Sequence, residues 1–372
     1  MKQRFFSAAL LLAFLLLSLP ALAAEMTVTD SLGREVTVPA SLERIIGSGS
    51  GALRLITYLQ GQDKVVAVDS AEQRVPSLGV LVSTRPYSIA NPGFQELPVF
   101  GEFRGHDSPE LIAGLSPQPQ VILKVSPLAG PHPDQLTAKT GIPVVGFEYG
   151  NLTDKKEDFY GTLRLMGTIL GREERAEAVI SFFEGHVAEL AKRTADIPEE
   201  DRPTCYIGGV SSRGSHGFVS TEPDYPPFIF TGARNAASGA GGKGSSTVQV
   251  SKEKLLEWDP DIIFVDISTA TAGDDANSLH QLRDDPALSA LTAVREGRIW
   301  SVLPYNSYTI NYGSVLANGY FVGKVLYPEK FQDVDPMTMA DEIYTFLVGK
   351  PVFAAMNEGF QGRIFTRLNP GE

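Results

Sequence analysis

The chain has 372 residues, with 43% hydrophobic and 20% charged side chains and a formal net charge of −12. This acidic balance excludes a general nucleic-acid-binding protein, which needs a basic face, and it argues against an anionic membrane surface as a partner. The single cysteine, Cys205, excludes an intramolecular disulfide and a cysteine cluster for zinc.

Residues 1–23 have the features of a secretory signal peptide. Lys2 and Arg4 form a short basic region, residues 5–19 are apolar, and Ala21-Leu22-Ala23 fits a cleavage site. The apolar run is shorter than the roughly 20 residues of a spanning helix, and no cysteine near the cleavage site offers a lipid anchor. We therefore expect a soluble protein that is exported across the inner membrane to the periplasm.

Removal of this segment leaves 30 of the 32 basic residues against 44 acidic ones, so the mature chain carries a net charge of −14. A mature length of about 350 residues exceeds what one hydrophobic core usually serves, and two domains are expected.

In the first half of the mature chain, short strands alternate with short helices. Residues 27–38 alternate in polarity around Gly33 and predict a β-hairpin. A Pro-, Gly- and Ser-rich excursion is expected over residues 72–98. The remaining pattern predicts strands at 44–47, 65–69, 121–124 and 143–147, and helices at 52–59, 110–115 and 137–140. Such alternation is typical of a parallel or mixed sheet.

Residues 154–194 contain no proline, and their apolar residues recur at steps of three and four. This period predicts one long amphipathic helix that begins at Thr153 or Asp154. The alternatives are a bend near Gly171 or two helices separated at Gly171 and Arg172.

The alternation of strands and helices resumes after Pro198. A Gly- and Ser-rich stretch covers residues 232–247. Strands are predicted at 204–208, 262–266 and 298–302, and helices at 253–258, 285–294, 311–325 and 340–347.

One pattern occurs in both halves. Glu110 and Glu253 each open a short amphipathic helix, lie seven residues before a proline, and precede an apolar strand. A repeat at this separation indicates two related α/β lobes. It also places one exposed glutamate at the same position on each lobe. Each could alternatively be a solvated first-turn residue favoured by the helix dipole.

These features together resemble the periplasmic substrate-binding proteins of ABC importers for iron–siderophore complexes, heme and vitamin B12. The resemblance begins with Thr29-Asp30-Ser-Leu-Gly-Arg34 and the helix between the halves. It continues with Val250-Ser-Lys-Glu253, the segment up to Ile262-Ile-Phe, and Arg298-Ile-Trp-Ser-Val.

The resemblance implies a fold of class α/β, with two Rossmann-like lobes of mainly parallel strands joined by one long rigid α-helix. The implied boundaries are a first lobe over 24–152, an interlobe helix over 153–196 and a second lobe over 197–372. It further implies a non-enzymatic carrier without an intrinsic cofactor, whose Glu110 and Glu253 dock onto arginines of the ABC permease dimer in the inner membrane. A carboxylate pair at fixed separation suits a two-fold partner that carries arginine.

The ligand would meet the carboxyl ends of the strands, as in open α/β sheets. This rule and the loop composition nominate as ligand-binding residues Ser48, Ser50, Arg85, Tyr87, Phe103, Arg104, Tyr149, Arg213, His216, Tyr225, Tyr305, Tyr308 and Tyr312.

The tyrosines at 305, 308 and 312 are the main chemical cluster, because steps of three and four place them on one face if they are helical. With the arginines they would suit an anionic, aromatic metal chelate through cation–π contacts and charge-assisted hydrogen bonds. Alternatively, Tyr308 and Tyr312 pack in the core of the lobe. The histidines are scattered singly, so no bare-metal site is predicted.

The leading hypothesis is therefore capture of a siderophore-type iron chelate. Heme, a corrinoid, or an oxyanion such as molybdate or tungstate are alternative ligands for the same carrier. A remote alternative is an exported hydrolase, because the Gly/Ser run 47–51 follows a strand and opens a helix as a nucleophile elbow does. The single cysteine argues against a nitrogenase-like metallocluster protein.

Overall fold

The computed structural model describes residues 24–73, 85–212, 214–241, 247–270, 276–304 and 306–371. The predicted signal peptide, residues 1–23, lies outside the described residues, and so do two predicted ligand residues, Arg213 and Tyr305.

The first lobe alternates strands and helices as the sequence predicts. Its elements in chain order are β1 (Glu25–Thr29), β2 (Glu35–Pro39), β3 (Ile45–Ser48), α1 (Ala52–Tyr58), β4 (Val65–Asp69), α2 (Pro86–Ala90), β5 (Val99–Glu102), β6 (His106–Asp107), α3 (Pro109–Ala113), β7 (Val121–Val125), α4 (Pro133–Thr140) and β8 (Val144–Phe147). The sheet order is β6-β5-β4-β3-β7-β8, and every neighbouring pair is parallel except β5 with β6.

The interior strand β7 is buried along its whole length, as a parallel strand covered on both faces should be. Val121, Ile122, Leu123 and Val125 supply a continuous apolar run, and Lys124 is the one charged residue within it.

The predicted hairpin is confirmed, since β1 and β2 pair antiparallel from Glu25 with Pro39 to Thr29 with Glu35. The Asp30 carboxylate stabilises its turn by accepting bonds from the backbone N–H groups of Leu32 and Arg34, each at 3.0 Å. It also accepts from the backbone N–H of Gly146 at 3.0 Å, which ties the hairpin to β8. Burial opposes ionisation, but the bonds from Arg34 and Gly146 hold the pKa of Asp30 below its usual value.

Two helices, not one, occupy the segment between the sheets: α5 (Lys156–Leu170) and α6 (Glu173–Thr194). Gly171 ends α5 in the left-handed conformation, with φ 64° and ψ 45°, a common way for a helix to stop. The expectation of one continuous helix over 153–196 is therefore wrong at this point. Each helix is amphipathic, so the apolar period continues on both sides of the break.

The helix α6 is the long interlobe helix of the predicted fold class. Its 22 residues span about 33 Å. Near its start, Arg175 donates to the carbonyl oxygen of Tyr58 in the first lobe. Near its end, Arg193 forms an ion pair with Asp333, 2.7 Å apart, in the C-terminal part of the chain.

The second lobe continues the alternation after α6. Its elements are β9 (Thr204–Gly208), β10 (Ser220–Thr221), α7 (Pro226–Thr231), β11 (Arg234–Asn235), β12 (Val248–Gln249), α8 (Lys252–Trp258), β13 (Ile262–Asp266), α9 (Ile267–Ala270), α10 (Ser278–Asp284), α11 (Pro286–Ser289), α12 (Thr292–Arg295), β14 (Ile299–Val302), α13 (Tyr312–Leu326), α14 (Pro336–Val348) and α15 (Phe353–Gly359). Its main sheet has the order β11-β9-β13-β14 with all neighbours parallel. The predicted fold class, two α/β lobes with mainly parallel sheets, is confirmed.

Short 3₁₀ segments connect several of these elements, at Gln62–Lys64, Ser70–Glu72, Pro92–Glu96, Glu199–Asp201 and Pro328–Phe331.

The C-terminal helices return to the first lobe. The helix α14 packs against α1 and α2, and α15 also contacts α2. Just after α14, Lys350 donates from its side chain to the carbonyl oxygen of Ala90, at 2.6 Å. The two lobes are thus joined by α6 and by this returning segment.

Candidate functional site

The lobes meet directly at a turn that leads into α13. This turn, residues 306–311, is named the interlobe loop here. From it the Tyr308 hydroxyl donates to the carboxylate of Asp69 at the carboxyl end of β4, at 2.5 Å. The backbone N–H of Arg104, after β5, donates to the same hydroxyl at 2.8 Å. The carboxyl ends of first-lobe strands therefore face the second lobe across this contact.

The interlobe loop has an unusual backbone. Asn306 and Ile310 form a bridge, and Tyr308 and Thr309 between them have φ values of 53° and 69°. Tight turns with two such residues usually carry Asn-Gly, because a Cβ atom crowds the following carbonyl oxygen in the left-handed conformation, glycine has no Cβ, and asparagine tolerates the conformation better than most residues. Each left-handed residue costs about 1–2 kcal/mol, and a β-branched threonine is a clear outlier. Favourable contacts between the loop and its surroundings must offset this conformational cost.

Arg54 of α1 holds the interlobe loop. Its guanidinium donates to the carbonyl oxygens of Ser307 at 2.9 Å, Ile310 at 2.9 Å and Tyr308 at 3.3 Å. It also donates to the Tyr149 hydroxyl at 2.5 Å. The side chain is 1% exposed. Arg54 was not among the residues that the sequence nominated, and its only signal was a lone cation inside an apolar helix.

Arg85 and Tyr87 belong to a second buried cluster beside the loop. The Arg85 guanidinium lies 3.0 Å from the Glu72 carboxylate and over the rings of Tyr87 and Tyr308, at 5.7 and 5.5 Å from their centroids. The Tyr87 hydroxyl donates to Glu72 at 2.7 Å. Burial raises the pKa of Tyr87 well above its usual value. Arg85 supports the Tyr308 ring, and both Arg85 and Tyr87 are buried.

Ser48 also lies in a buried network. Its hydroxyl donates to Asp107 at 2.6 Å, and Lys124 contacts the other oxygen of that carboxylate at 2.5 Å. Lys124 donates to the carbonyl oxygen of Gly105 at 2.9 Å as well. The pair thereby fixes the turn that carries Arg104. The Ser48 hydroxyl is occupied in this arrangement.

Ser50 is half-buried in the turn between β3 and α1. The glycines on either side have φ values of 87° and 88°. A Cβ on Gly49 would lie 2.2 Å from the Val125 carbonyl oxygen, and one on Gly51 would lie 2.3 Å from the Tyr149 ring. The backbone of the turn therefore packs closely against Val125 and Tyr149. The side chain of Ser50, between the two glycines, is half-exposed.

The hydrolase alternative fails on the sequence of the Gly/Ser run itself. The middle residue of the Gly/Ser run 47–51 is Gly49, where a nucleophile elbow needs serine.

Phe103 and Arg104 follow the carboxyl end of β5, and both side chains are exposed. The Arg104 guanidinium lies over the Phe103 ring, 5.1 Å from its centroid. Arg104 has a φ of 61°. The pair offers a cation and an aromatic face on the first-lobe rim.

Tyr149 and Tyr312 pack against each other at the lobe junction. Their rings stack with centroids 5.0 Å apart, and the Tyr312 hydroxyl donates to the Tyr149 carbonyl oxygen at 2.6 Å. Phe159 of α5 stacks on Tyr312 from the other side, at 4.0 Å. Both tyrosines are buried and act as packing residues here. The expected helical face shared by Tyr308 and Tyr312 does not form, because α13 begins only at Tyr312.

Two nominated residues of the second lobe lie apart from this contact. Tyr225 is buried in the lobe core, where its hydroxyl accepts from Asn318 at 3.1 Å and its ring meets Phe228 edge-on at 4.9 Å. His216 is exposed, and its Nε2 donates to the carbonyl oxygen of Ser212 at 2.6 Å. The expected cleft position of Tyr225 is thus a core position.

The repeated glutamates occupy equivalent places. Ser108 caps α3 by accepting from the backbone N–H of Leu111, and Ser251 caps α8 by accepting from Lys254. Glu110 and Glu253 follow two residues after these caps and are exposed. The strand after α3 lies between β3 and β8, and the strand after α8 lies between β9 and β14.

The carboxylate of Glu253 interacts with its own helix start. Its own backbone N–H and the Ser251 hydroxyl hold the pKa of Glu253 below its usual value. It is therefore ionised at neutral pH.

Among the described residues no helix is long and apolar enough to span a bilayer. Within the same residues, no group of three or more His, Cys, Asp or Glu side chains converges to hold a metal ion.

Comparison with known proteins gives a family and a fold. Residues 53–304, more than half of the chain, match the model of the periplasmic binding protein family. The molybdate-binding protein MolA of Haemophilus influenzae is 24% identical over 358 residues, which cover 90% of this chain and 94% of that protein.

Two solved structures share the fold. A periplasmic solute binding protein from Veillonella parvula has a TM-score of 0.68 and 20% identity, covering 91% of this chain and 97% of its own. Haemophilus influenzae MolA bound to molybdate has a TM-score of 0.65 and 20% identity, covering 88% of this chain and 98% of its own.

Proposed function

This chain belongs to the periplasmic binding protein family, and on that premise we propose that it is the substrate-binding component of an ABC importer. It captures a small molecule between its two lobes and delivers it to the permease without chemical change. The observation that carries the proposal is the meeting of strand ends from both lobes at the interlobe loop, where Tyr308 contacts Asp69 and Arg104. Ligands of open α/β sheets bind at such strand ends.

The proposed ligand is a small molecule that contains a metal. An oxyanion of the molybdate type is the first candidate, because the relative that aligns with 90% of the chain is a molybdate-binding protein. Ser50 and Arg104 at the strand ends supply a hydroxyl and a charged donor of the kind that oxyanions accept.

A siderophore-type ferric chelate is the second candidate, as are the other large metal complexes, heme and corrinoids. The exposed Phe103 and Arg104 favour it, since an aromatic face with a cation above it suits an aromatic anionic chelate.

The proposed partner is the ABC permease dimer of the inner membrane, with Glu110 and Glu253 as the docking residues. Support comes from their equivalent positions, two residues after a serine cap on each lobe. A carrier of this kind works in the periplasm as a monomer after export, for which residues 1–23 would serve as the cleavable signal.

A thermal-shift panel on residues 24–372 tests the ligand class. The panel holds molybdate, tungstate, ferric catecholate and hydroxamate siderophores, heme and cobalamin, with sulfate as the metal-free control anion. A ligand at one hundred times its dissociation constant stabilises the native state by about 2.7 kcal/mol. A shift with molybdate or tungstate supports the first candidate, and a shift with one chelate alone replaces it by the second. No shift with any member contradicts the proposed ligand class.

A further inference from the structure

Arg54 differs from the other buried cations of the described residues in having no acidic partner. Arg85 is paired with Glu72 at 3.0 Å, and Lys124 with Asp107 at 2.5 Å. The hydrogen bonds of Arg54 go to three backbone carbonyl oxygens and one tyrosine hydroxyl. A charge taken out of water without a counter-charge is costly, and the partners of Arg54 are neutral dipoles and the ring of Tyr87, whose centroid lies 5.3 Å from the guanidinium carbon.

The guanidinium is also incompletely satisfied. Its Nε is buried and has no hydrogen-bond partner. A guanidinium presents its donors in a planar fork that matches the oxygens of an oxyanion. Four oxygens now surround two of its nitrogens, and they occupy the places that the oxygens of an anion would take.

The oxygens that surround Arg54 are themselves held at a cost. Three of them belong to the interlobe loop, whose Tyr308 and Thr309 have left-handed backbones. Strain at a ligand-facing loop persists only where the surroundings compensate for it. The hydrogen bonds to Arg54 are part of that compensation. The loop nevertheless keeps a strained backbone, and Arg54 still lacks a counter-charge and a partner for its Nε.

We propose that Arg54 is the residue that binds an anion between the two lobes. In this proposal the carbonyl oxygens of the interlobe loop accept hydrogen bonds from its guanidinium only until an oxyanion replaces them. This inference rests on the proposed function and names the residue that recognises its ligand. On binding, the cation gains a counter-charge, and the loop is free to leave its strained conformation. The ligand class that fits is a small oxyanion such as molybdate or tungstate.

The size of the ligand follows from how the loop is tethered. At its start the Asn306 side chain donates to the carbonyl oxygen of Ser211 at 3.2 Å, and directly after it the Tyr312 hydroxyl donates to the carbonyl oxygens of Tyr149 and Gly150 at 2.6 and 3.1 Å. With both ends fixed, the loop can move only a short distance. The space released beside Arg54 therefore suits a small oxyanion better than a large chelate.

Isothermal titration with tungstate and with molybdate tests the inference on residues 24–372. Arg54→Gln should weaken binding about thirty-fold, because hydrogen bonds to a charged group contribute about 1.5–3 kcal/mol and 1.4 kcal/mol is tenfold. Arg54→Lys, which keeps the charge and loses the fork, should fall between the wild type and Arg54→Gln. The matched control is Arg175→Gln, because Arg175 also donates to carbonyl oxygens, those of Tyr58 and Phe346. This control should bind within about twofold of the wild type.

The outcomes separate the inference from the function it rests on. If the wild type binds tungstate and Arg54→Gln binds it equally well, Arg54 is not the anion-binding residue and the carrier function stands. Equal losses in Arg54→Gln and Arg175→Gln would assign Arg54 a merely structural role. If the wild type binds neither anion, the oxyanion candidate and the inference about Arg54 both fail, and the carrier function then depends on the chelate candidates.

A measurement on the wild type covers the case in which the Arg54 variants do not fold. Hydrogen exchange of peptides that contain residues 306–312, followed by mass spectrometry with and without tungstate, should change when the loop leaves Arg54. Unchanged exchange at saturating tungstate would overturn the replacement of the loop carbonyls.

Discussion

The Tyr308 hydroxyl of the second lobe donates to the Asp69 carboxylate of the first, 2.5 Å away and across 239 positions of sequence. Asp69 is 4% exposed and has Glu72 nearby as a further negative charge. Burial, reinforced by Glu72 and opposed by the bonds from Tyr308 and Ala71, raises the pKa of Asp69 to about 7. The contact between the lobes therefore depends on a group that titrates near neutral pH.

Asp69 should make stability fall as the pH rises. Its pKa is about 7 in the folded state and near the ordinary value of 3.8 in the unfolded chain, so folding takes up a proton between these values. The contribution is complete below about pH 4 and is lost as the pH rises through about 7. The slope amounts to at most about 1.4 kcal/mol per pH unit.

Urea denaturation of the wild type and Asp69→Asn at pH 5, 6, 7 and 8 measures this effect. The difference in unfolding free energy between the two proteins should shrink or reverse toward high pH. Glu222, whose burial raises its pKa to about 8, adds a slope of the same sign to both proteins. Parallel curves would show that Asp69 keeps an ordinary pKa.

Removing Lys124 should destabilise the first lobe strongly. Lys124→Met leaves the fully buried Asp107 carboxylate without its counter-charge, a change that typically costs about 3–5 kcal/mol. The double variant Lys124→Met/Asp107→Asn should recover part of the loss. Lys254→Met is the control, because its pair with Glu257 is exposed and should contribute less than about 1 kcal/mol. Equal losses in unfolding free energy for both single variants would refute the assignment.

Alanine at Gly49 should be far more damaging than alanine at Gly33. Both have left-handed backbones, which cost an L-residue about 1–2 kcal/mol. A Cβ at Gly49 would in addition lie 2.2 Å from the Val125 carbonyl oxygen, whereas one at Gly33 meets nothing within 4 Å. We expect a loss above about 3 kcal/mol for Gly49→Ala and about 1–2 kcal/mol for Gly33→Ala, measured by urea denaturation. Similar losses of unfolding free energy for the two variants would mean that the β3–α1 turn can shift to accommodate a Cβ atom at position 49.

Charge reversal should separate docking from binding. Glu110→Lys with Glu253→Lys should leave ligand affinity within about twofold and abolish uptake, because repulsion replaces attraction at the permease. Each reversal also costs about 0.3–1 kcal/mol at a helix start. Glu173→Lys with Glu174→Lys is the matched control, since both residues are exposed in the first turn of α6. Normal uptake by the double variant of Glu110 and Glu253 would contradict the docking proposal.

Much of the fold was predictable because its signals are local. The apolar run 121–125 is a strand buried on both faces, and Gly33 turns the hairpin. The helix–strand repeat around Glu110 and Glu253 placed two interior strands, β7 and β13, correctly. The family resemblance, which rested on the hairpin, the helix between the halves, the segment from Val250 and residues 298–302, is confirmed.

The site was harder to predict, because its contacts join distant parts of the chain. The partners of Arg54 in the interlobe loop lie more than 250 positions away, and nothing in the residues around Arg54 points to them. Tyrosines such as Tyr225 and Tyr312 satisfy their hydroxyls inside the protein, and composition cannot distinguish this from facing a ligand. The apolar period did not reveal the break at Gly171, because apolar residues recur at the same three- and four-residue steps in both helices. The roles of Arg213 and Tyr305 stay predictions.

The return of the C-terminal segment to the first lobe has a kinetic consequence. Ala90 gains its bond from Lys350 only after 260 further residues have been synthesised, and α14 covers α1 and α2 from the same distance. Contacts between such remote positions form late and slow the overall rate of folding. A fragment that ends after α6 would leave apolar side chains of α1 uncovered. The first lobe is therefore expected to complete its native packing only with the whole chain, so that both lobes mature in one cooperative step.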